Sequence, residues 1–240
     1  MIEFRDVFAK RGGRAVLRGI SLTIAEGEVV ALVGRSGSGK TTLLRLVNRM
    51  IDVDAGDVRV GGRSVHEWEV IALRRHTGYA IQEVGLFPHF TVADNIALVP
   101  RLLAWEAERV GGRVDELLAL VGLPPEDFRD RWPDQLSGGQ RQRVGLARAL
   151  AADPPTLLMD EPFGALDPIT RAELHREFRS LQQRRPRSVL IVTHDLAEAF
   201  ALANRVAVLH EGRLVACETP EVLATANDPV VRALVETRFG

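Results

Sequence analysis

At 240 residues and 46% hydrophobic content, the chain can bury a sizeable core and lies outside the composition of disordered segments. Its 31 basic and 32 acidic side chains nearly cancel to a formal charge of -1, which excludes a global field that would gather nucleic acid. No apolar run approaches the ~18 residues of a membrane span, residues 1–10 are too charged for a signal peptide, and one cysteine, Cys217, excludes an intrachain disulfide.

Residues 1–28 alternate, with Ile20, Leu22 and Ile24 on one face and Ser21 and Thr23 on the other, which predicts an antiparallel β layer. The next run, Val29–Val33, is apolar without alternation, as expected of a strand covered on both faces of a parallel sheet. It leads into Gly34-Arg35-Ser36-Gly37-Ser38-Gly39-Lys40-Thr41, which fits G-x-x-x-x-G-K-[ST], and then into a helix-compatible segment, residues 41–50. In this strand–loop–helix setting the glycines let backbone N–H groups turn inward around phosphates, and the helix N-terminus adds the positive end of its dipole. Lys40 would reach the β- and γ-phosphates and Thr41 would offer its hydroxyl to Mg²⁺. The bland alternative is a flexible glycine-rich turn. Lysine usage weighs against it: Lys10 and Lys40 are the only lysines in a chain that otherwise uses arginine, so the position demands a compact ammonium.

Between residues 88 and 153 the strand signal fades. Residues 109–121 read as an amphipathic helix with Val110, Val114, Leu117, Leu118 and Val121 on one face, and Pro124-Pro125 and Pro154-Pro155 punctuate what reads as a helical insertion. Inside it, Leu136-Ser137-Gly138-Gly139-Gln140 precedes a helix-like run, residues 141–152, which makes a second anion site at a helix start. Taken alone, an N-cap with a glycine turn is the plainer account of this segment. One nucleotide has no obvious use for both sites, a conflict that a dimer resolves if each chain lends this segment to its partner's ATP.

The second apolar run, residues 156–159, ends in Asp160 and Glu161, at the carboxyl end of a strand where open parallel sheets bind ligands. A buried acidic pair needs a partner. Asp160 would hold Mg²⁺ and Glu161 would act as general base on the attacking water, the alternative being that both cap the following segment. A helix-compatible segment, residues 168–183, a third apolar run, residues 189–192, and another helical segment, residues 196–203, complete an α/β alternation. His194 closes the third run, where it either contacts a γ-phosphate or is a satisfied polar group.

Together these residues resemble the ATP-binding cassette (ABC) family throughout the chain. Residues 34–42, ending in Thr42, match its Walker A motif, Gln82 the Q-loop, residues 136–140 the signature, residues 157–161 Walker B, Ala165-Leu166-Asp167 the D-loop and His194 the switch histidine. The resemblance implies an α/β fold with a P-loop NTPase (RecA-like) core, an antiparallel β layer and an inserted helical subdomain. Residues 1–240 are then expected to form a single nucleotide-binding domain: core about 1–87 and 154–220, helical subdomain about 88–153, short helical tail 221–240, and no CBS domains.

For the site, the resemblance implies ATP and Mg²⁺, with Glu161, His194 and Gln82 in catalysis. Nucleotide contacts would come from Arg11, Ser36, Gly37, Ser38, Gly39, Lys40, Thr41, Thr42, Gln82, Ser137, Gly138, Gly139, Gln140 and Asp167, and the ion would be held by Thr41, Gln82 and Asp160. It further implies a head-to-tail homodimer with ATP at the interface, transmembrane permease subunits, indirectly a solute-binding protein, no nucleic-acid partner, and a peripheral place on the cytoplasmic face of the cell membrane. Gln82 and the stretch 84–90 would pass motion to the permease; local packing is the alternative role of Phe87, Pro88 and Phe90.

Residues 78–92, 95–103 and 151–171 more narrowly resemble the ATPases of osmoprotectant importers, which take up glycine betaine, choline, carnitine or proline, and in which the solute touches other subunits. An importer of another small solute, such as an amino acid, is the nearer alternative. A soluble cassette ATPase acting on nucleic acid or ribosomes is the more distant one. One position departs from the family: Arg11 stands where an aromatic residue stacks on adenine. A guanidinium also stacks on flat rings, and Phe8 is a nearby substitute.

Overall fold

A computed structural model describes residues 1–82 and 85–236. Glu83, Val84, which opens the stretch expected to pass motion to a permease, and residues 237–240 of the expected tail lie outside the described residues.

The chain opens with strands β1 (Ile2–Arg11) and β2 (Arg14–Ile24), followed by β3 (Val29–Val33) and helix α1 (Lys40–Val47). Next come β4 (Ala55–Val60), β5 (Arg63–Ser64), α2 (Val70–His76) and β6 (Thr77–Ala80). Four helices succeed one another without a strand among the described residues: α3 (Val92–Leu102), α4 (Ala107–Leu120), α5 (Pro125–Phe128) and α6 (Gly138–Leu150). The alternation then resumes through β7 (Thr156–Asp160), α7 (Pro168–Arg184), β8 (Ser188–Val192), α8 (Leu196–Leu202), β9 (Arg205–His210) and β10 (Arg213–Glu218), and closes with α9 (Pro220–Ala224) and α10 (Pro229–Glu236).

Two sheets result. The antiparallel one runs β2-β1-β4-β5, with Ile2 opposite Ile24 and opposite Val60, so the alternation of β2 puts Ile20, Leu22 and Ile24 into the core. The other runs β10-β9-β3-β8-β7-β6, parallel except for the edge pair β9–β10. Every residue of β3, β7 and β8 is buried, because apolar layers cover both faces of these strands. Val30, Leu32, Leu158, Leu190 and Val192 join Leu43, Leu44, Leu46 and Val47 of α1 and the inner face of the antiparallel sheet. Leu157, Met159, Val189 and Ile191 meet the helical segment and α7, whereas Ala31 and Val33 meet α8, α9 and α10. Each fully buried aliphatic side chain contributes about 1.5–3 kcal/mol.

Some boundaries differ from the sequence expectations. Helix α1 stops at Val47 rather than running to residue 50, because Asn48 leaves helical geometry and Arg49 takes a left-handed φ of 46°. Strands β4, β6, β9 and β10 carry no long branched run, and the sequence reading does not anticipate them. For β6, Gly78 supplies the reason: a Cβ there would sit 2.3 Å from the Ala149 carbonyl, so its lack of a side chain lets the strand lie against α6.

The parallel register sets the site. Leu32, Asp160 and Val192 share one rung of the sheet, and Ala80 pairs with Met159 one step earlier. Gly34, Gln82, Glu161 and His194 therefore emerge together at the carboxyl edge, the place where open α/β sheets bind ligands.

Candidate functional site

The loop between β3 and α1 is shaped by glycine where no other residue fits. Gly39 has φ 107°, and a Cβ there would stand 2.7 Å from Leu17 Cδ2; Gly34 has φ 150°, and its Cβ would press on the Leu209 carbonyl at 2.1 Å. Gly37, by contrast, is exposed with open space around it. No side chain caps α1, so the first-turn N–H groups at Lys40, Thr41 and Thr42 are available to an anion. Ser36 lies exposed on the loop, whereas Ser38 is buried with its Oγ lacking a hydrogen-bond partner.

Lys40 Nζ donates to the carbonyls of Gly34 at 2.7 Å and Arg35 at 3.1 Å, folded over its own loop. Burial lowers its pKa against the raising influence of Glu161 and Asp160. Across the loop, Thr41 Oγ1 lies 3.5 Å from Asp160 Oδ1. Asp160 is 3% exposed, and burial, followed by the charge of Glu161, raises its pKa; a cation beside it would relieve that penalty. Among the described residues no cluster of three or more His, Cys, Asp or Glu side chains is arranged to hold a metal. One carboxylate, one hydroxyl and a nucleotide's phosphates are the donor set that suits Mg²⁺.

Glu161 sits immediately after β7 in the left-handed region at φ 50°, a strained geometry for a non-glycine residue that surrounding contacts must enforce. Its N–H donates to the Val192 carbonyl at 2.9 Å. Its carboxylate lies between two groups: Gln82 Nε2 donates to Oε2 at 3.1 Å, and His194 Nδ1 stands 3.3 Å from Oε1. The three residues expected to act in catalysis thus form one constellation beside the loop between β3 and α1.

Ser137 caps α6. Its Oγ accepts from the Gln140 N–H at 3.2 Å, and Gln140 Oε1 accepts from the Ser137 N–H at 2.8 Å, a reciprocal capping box. The capping role weighed from the sequence is therefore realised, and the Ser137 hydroxyl proton stays available to an outside acceptor. Gly138 is exposed with nothing near its Cβ position, and a Cβ at Gly139 would stand 3.4 Å from the Ala165 carbonyl. Asp167 caps α7 through the N–H groups of Ile169 at 3.1 Å and Thr170 at 3.0 Å, and hydrogen bonding first to the Thr170 side chain and then to these N–H groups lowers its pKa.

Arg11 is exposed at the tip of the β1–β2 hairpin, opposite Arg14. The same hairpin meets the loop between β3 and α1 through Val16 and Leu17 at Gly39. Phe8 is 39% exposed, and its ring lies over Gly19.

Polar contacts behind the site escape the sequence reading. Gln142, buried on α6, donates to the Glu161 carbonyl at 2.7 Å and accepts from the Ala165 N–H at 2.8 Å. Arg171 donates to Asp195 Oδ2 at 3.2 Å and to the Leu166 carbonyl at 3.1 Å, joining the segments that carry Asp167 and His194. In the sequence Gln142 sits inside Arg-Gln-Arg, which reads as a solvated face, so only tertiary packing reveals it.

Glu198 on α8 is 4% exposed, and its pKa is raised to about 7, first by burial and then by Asp195. Hydrogen bonding to Thr193 and the charge of Arg171 lower it, and Glu161 raises it further. An acid whose folded pKa is raised contributes stability that is full below its unfolded pKa, near 4.5, and is lost as pH rises to about 7. Glu198→Gln should therefore match the parent protein at pH 4 and exceed it at pH 8, by up to ~3 kcal/mol, in chemical denaturation. An equal stability difference at both pH values would contradict this origin.

The sequence profile of the family described as ABC transporter matches residues 17–164. The glycine betaine uptake system ATP-binding protein YehX of Escherichia coli is 47% identical over 242 residues, covering 100% of this chain and 78% of the relative. The glycine betaine/carnitine/choline transport ATP-binding protein OpuCA of Bacillus subtilis is 48% identical over 211 residues, covering 88% of this chain and 55% of the relative; the chain thus spans little more than half the length of that protein. Among solved structures, the dimeric structure of MJ0796, a bacterial ABC transporter cassette, superposes with a TM-score of 0.84 at 32% identity, over 91% of this chain and 98% of that one. A second, the post-hydrolysis dimer of MJ0796 bound to ADP and Pi, gives a TM-score of 0.84 at 31% identity.

Proposed function

The chain belongs to the ABC transporter family of ATP-binding proteins, and from that premise we propose that it is the ATPase subunit of an importer for osmoprotectants of the glycine betaine, choline and carnitine type. The observation that carries the ATPase reading is the Gln82–Glu161–His194 constellation beside an uncapped glycine-shaped helix start. The names of the relatives support the solute class.

In this reading the phosphates lie against Ser36, Gly37, Ser38, Gly39 and the N–H groups of Lys40, Thr41 and Thr42. Lys40 exchanges its two loop carbonyls for phosphate oxygens, keeping its charge in place while changing acceptors. Thr41, Asp160 and Gln82 would hold Mg²⁺, which when bound would neutralise phosphate charge during hydrolysis. Glu161 takes the proton of the attacking water, with Gln82 and His194 fixing its carboxylate. Arg11 at the hairpin tip is the adenine contact.

Two copies pair head to tail. Ser137, Gly138, Gly139 and Gln140 of each reach the ATP held by the other, since the start of α6 is exposed and has no acid in its first turn to repel phosphate. The helices between β6 and β7 form the subdomain that carries this segment, and the rest forms the ATP-binding core. No described helix is long and apolar enough to cross a membrane. Relatives named as the ATP-binding proteins of uptake and transport systems support separate permease subunits as the partners, which would hold the chain at the cytoplasmic face of the membrane.

Reconstitution with candidate permease and solute-binding subunits tests the proposal. ATP hydrolysis should be stimulated by glycine betaine or choline, and stimulation by an amino acid or a nucleic acid instead would overturn the solute class or the importer role respectively.

A further inference from the structure

Gln142 lies five residues after the cap of α6 and is 7% exposed, yet nothing in its side-chain hydrogen bonding serves its own helix. Its amide reaches two points of the loop between β7 and α7. Nε2 donates to the Glu161 carbonyl at 2.7 Å while Oε1 accepts from the Ala165 N–H at 2.8 Å, so donor and acceptor of the one amide are both used. The residue it grips is the one at φ 50°. The other main-chain polar group of that residue is also tied, since the Glu161 N–H bonds to Val192. Both main-chain groups of a strained residue are thereby fixed, which is what a left-handed non-glycine needs in order to persist. On the same helix, the Cβ position of Gly139 stands 3.3 Å from Leu166 Cδ2 and 3.4 Å from the Ala165 carbonyl, so α6 meets this loop at two heights.

We propose that Gln142 is a positioning residue for hydrolysis: it locks the backbone of Glu161 to the signature helix, so that the base is aligned only while α6 is seated against the Ala165–Leu166 loop. This rests on the ATPase reading above. Gln142 acts through the main chain of Glu161 and touches neither ATP nor water, so its loss should misplace the base and spare binding.

The test uses the purified chain with Mg-ATP. Gln142→Met keeps the length and removes both hydrogen bonds; kcat should fall about ten- to hundred-fold, the scale of a small misplacement of a catalytic group, with KM for ATP unchanged. Gln142→Glu supplies a control on folding. Its carboxylate cannot donate to the Glu161 carbonyl, but its protonated form reproduces the donor and acceptor of the amide. The ratio of its kcat to that of the parent should therefore climb as pH is lowered from 8 to 6, while the ratio for Gln142→Met stays flat. Unchanged kcat in Gln142→Met, a parallel rise in KM, or a pH-independent ratio for Gln142→Glu would overturn the inference and leave the ATPase reading standing. A parent chain that neither hydrolyses ATP nor dimerises with it would remove both.

Discussion

Glu161→Gln is expected to reduce ATP turnover by about 10²–10⁴-fold, the usual worth of a positioned general base, while ATP binding persists. The substitution keeps the size of the side chain and replaces a proton acceptor with an amide. Gln82 and His194 then surround a group that cannot take the water's proton, although the phosphate loop, Thr41 and Asp160 are untouched. Because the γ-phosphate is retained, the closed dimer should accumulate, which size-exclusion chromatography with ATP would register as a shift from monomer to dimer. The strained φ of 50° belongs to the main chain and survives the exchange. Near-parental hydrolysis would remove Glu161 from the role of base.

Lys40→Ala acts one step earlier. The ammonium bridges the Gly34 and Arg35 carbonyls, half-buried in a place where burial already disfavours its charge, so it is held there against a cost that phosphate would offset. Removing one partner of a desolvated, hydrogen-bonded charge pair costs about 2–5 kcal/mol, so the ATP dissociation constant should rise by roughly 30- to several-thousand-fold. Equilibrium binding of a fluorescent ATP analogue measures it. Lys40→Arg should rescue little, because a planar fork does not fit a loop built around a compact ammonium. Binding unchanged in Lys40→Ala would place the phosphates elsewhere.

The parts of the site that can be read from sequence are those in which chemistry and local backbone coincide. Residues 34–41 combine a loop conformation that needs glycine, a helix start and a lysine within one continuous stretch, and Asp160-Glu161 ends a run whose burial is visible in its composition. Strands β3, β7 and β8 are legible for the same reason: an unbroken branched run admits few other fates. Strand β6 is not, because Thr77-Gly78-Tyr79-Ala80 acquires its pairing from β7 and its close packing from α6. The capping box of Ser137 and Gln140 is local and visible in the sequence as an N-cap, whereas Gln142 and Arg171 reach residues 19 and 24 positions away and have no local signature.

The division of labour between two chains is most directly measured by disulfide trapping across the proposed seam. In a Cys217→Ser background, a chain carrying Ser36→Cys is mixed with one carrying Ser137→Cys and oxidised with and without Mg-ATP. Head-to-tail pairing around nucleotide predicts a covalent dimer of the two different variants that forms with ATP and not without it. Failure of the two introduced thiols to join between chains in the presence of ATP would contradict a shared site.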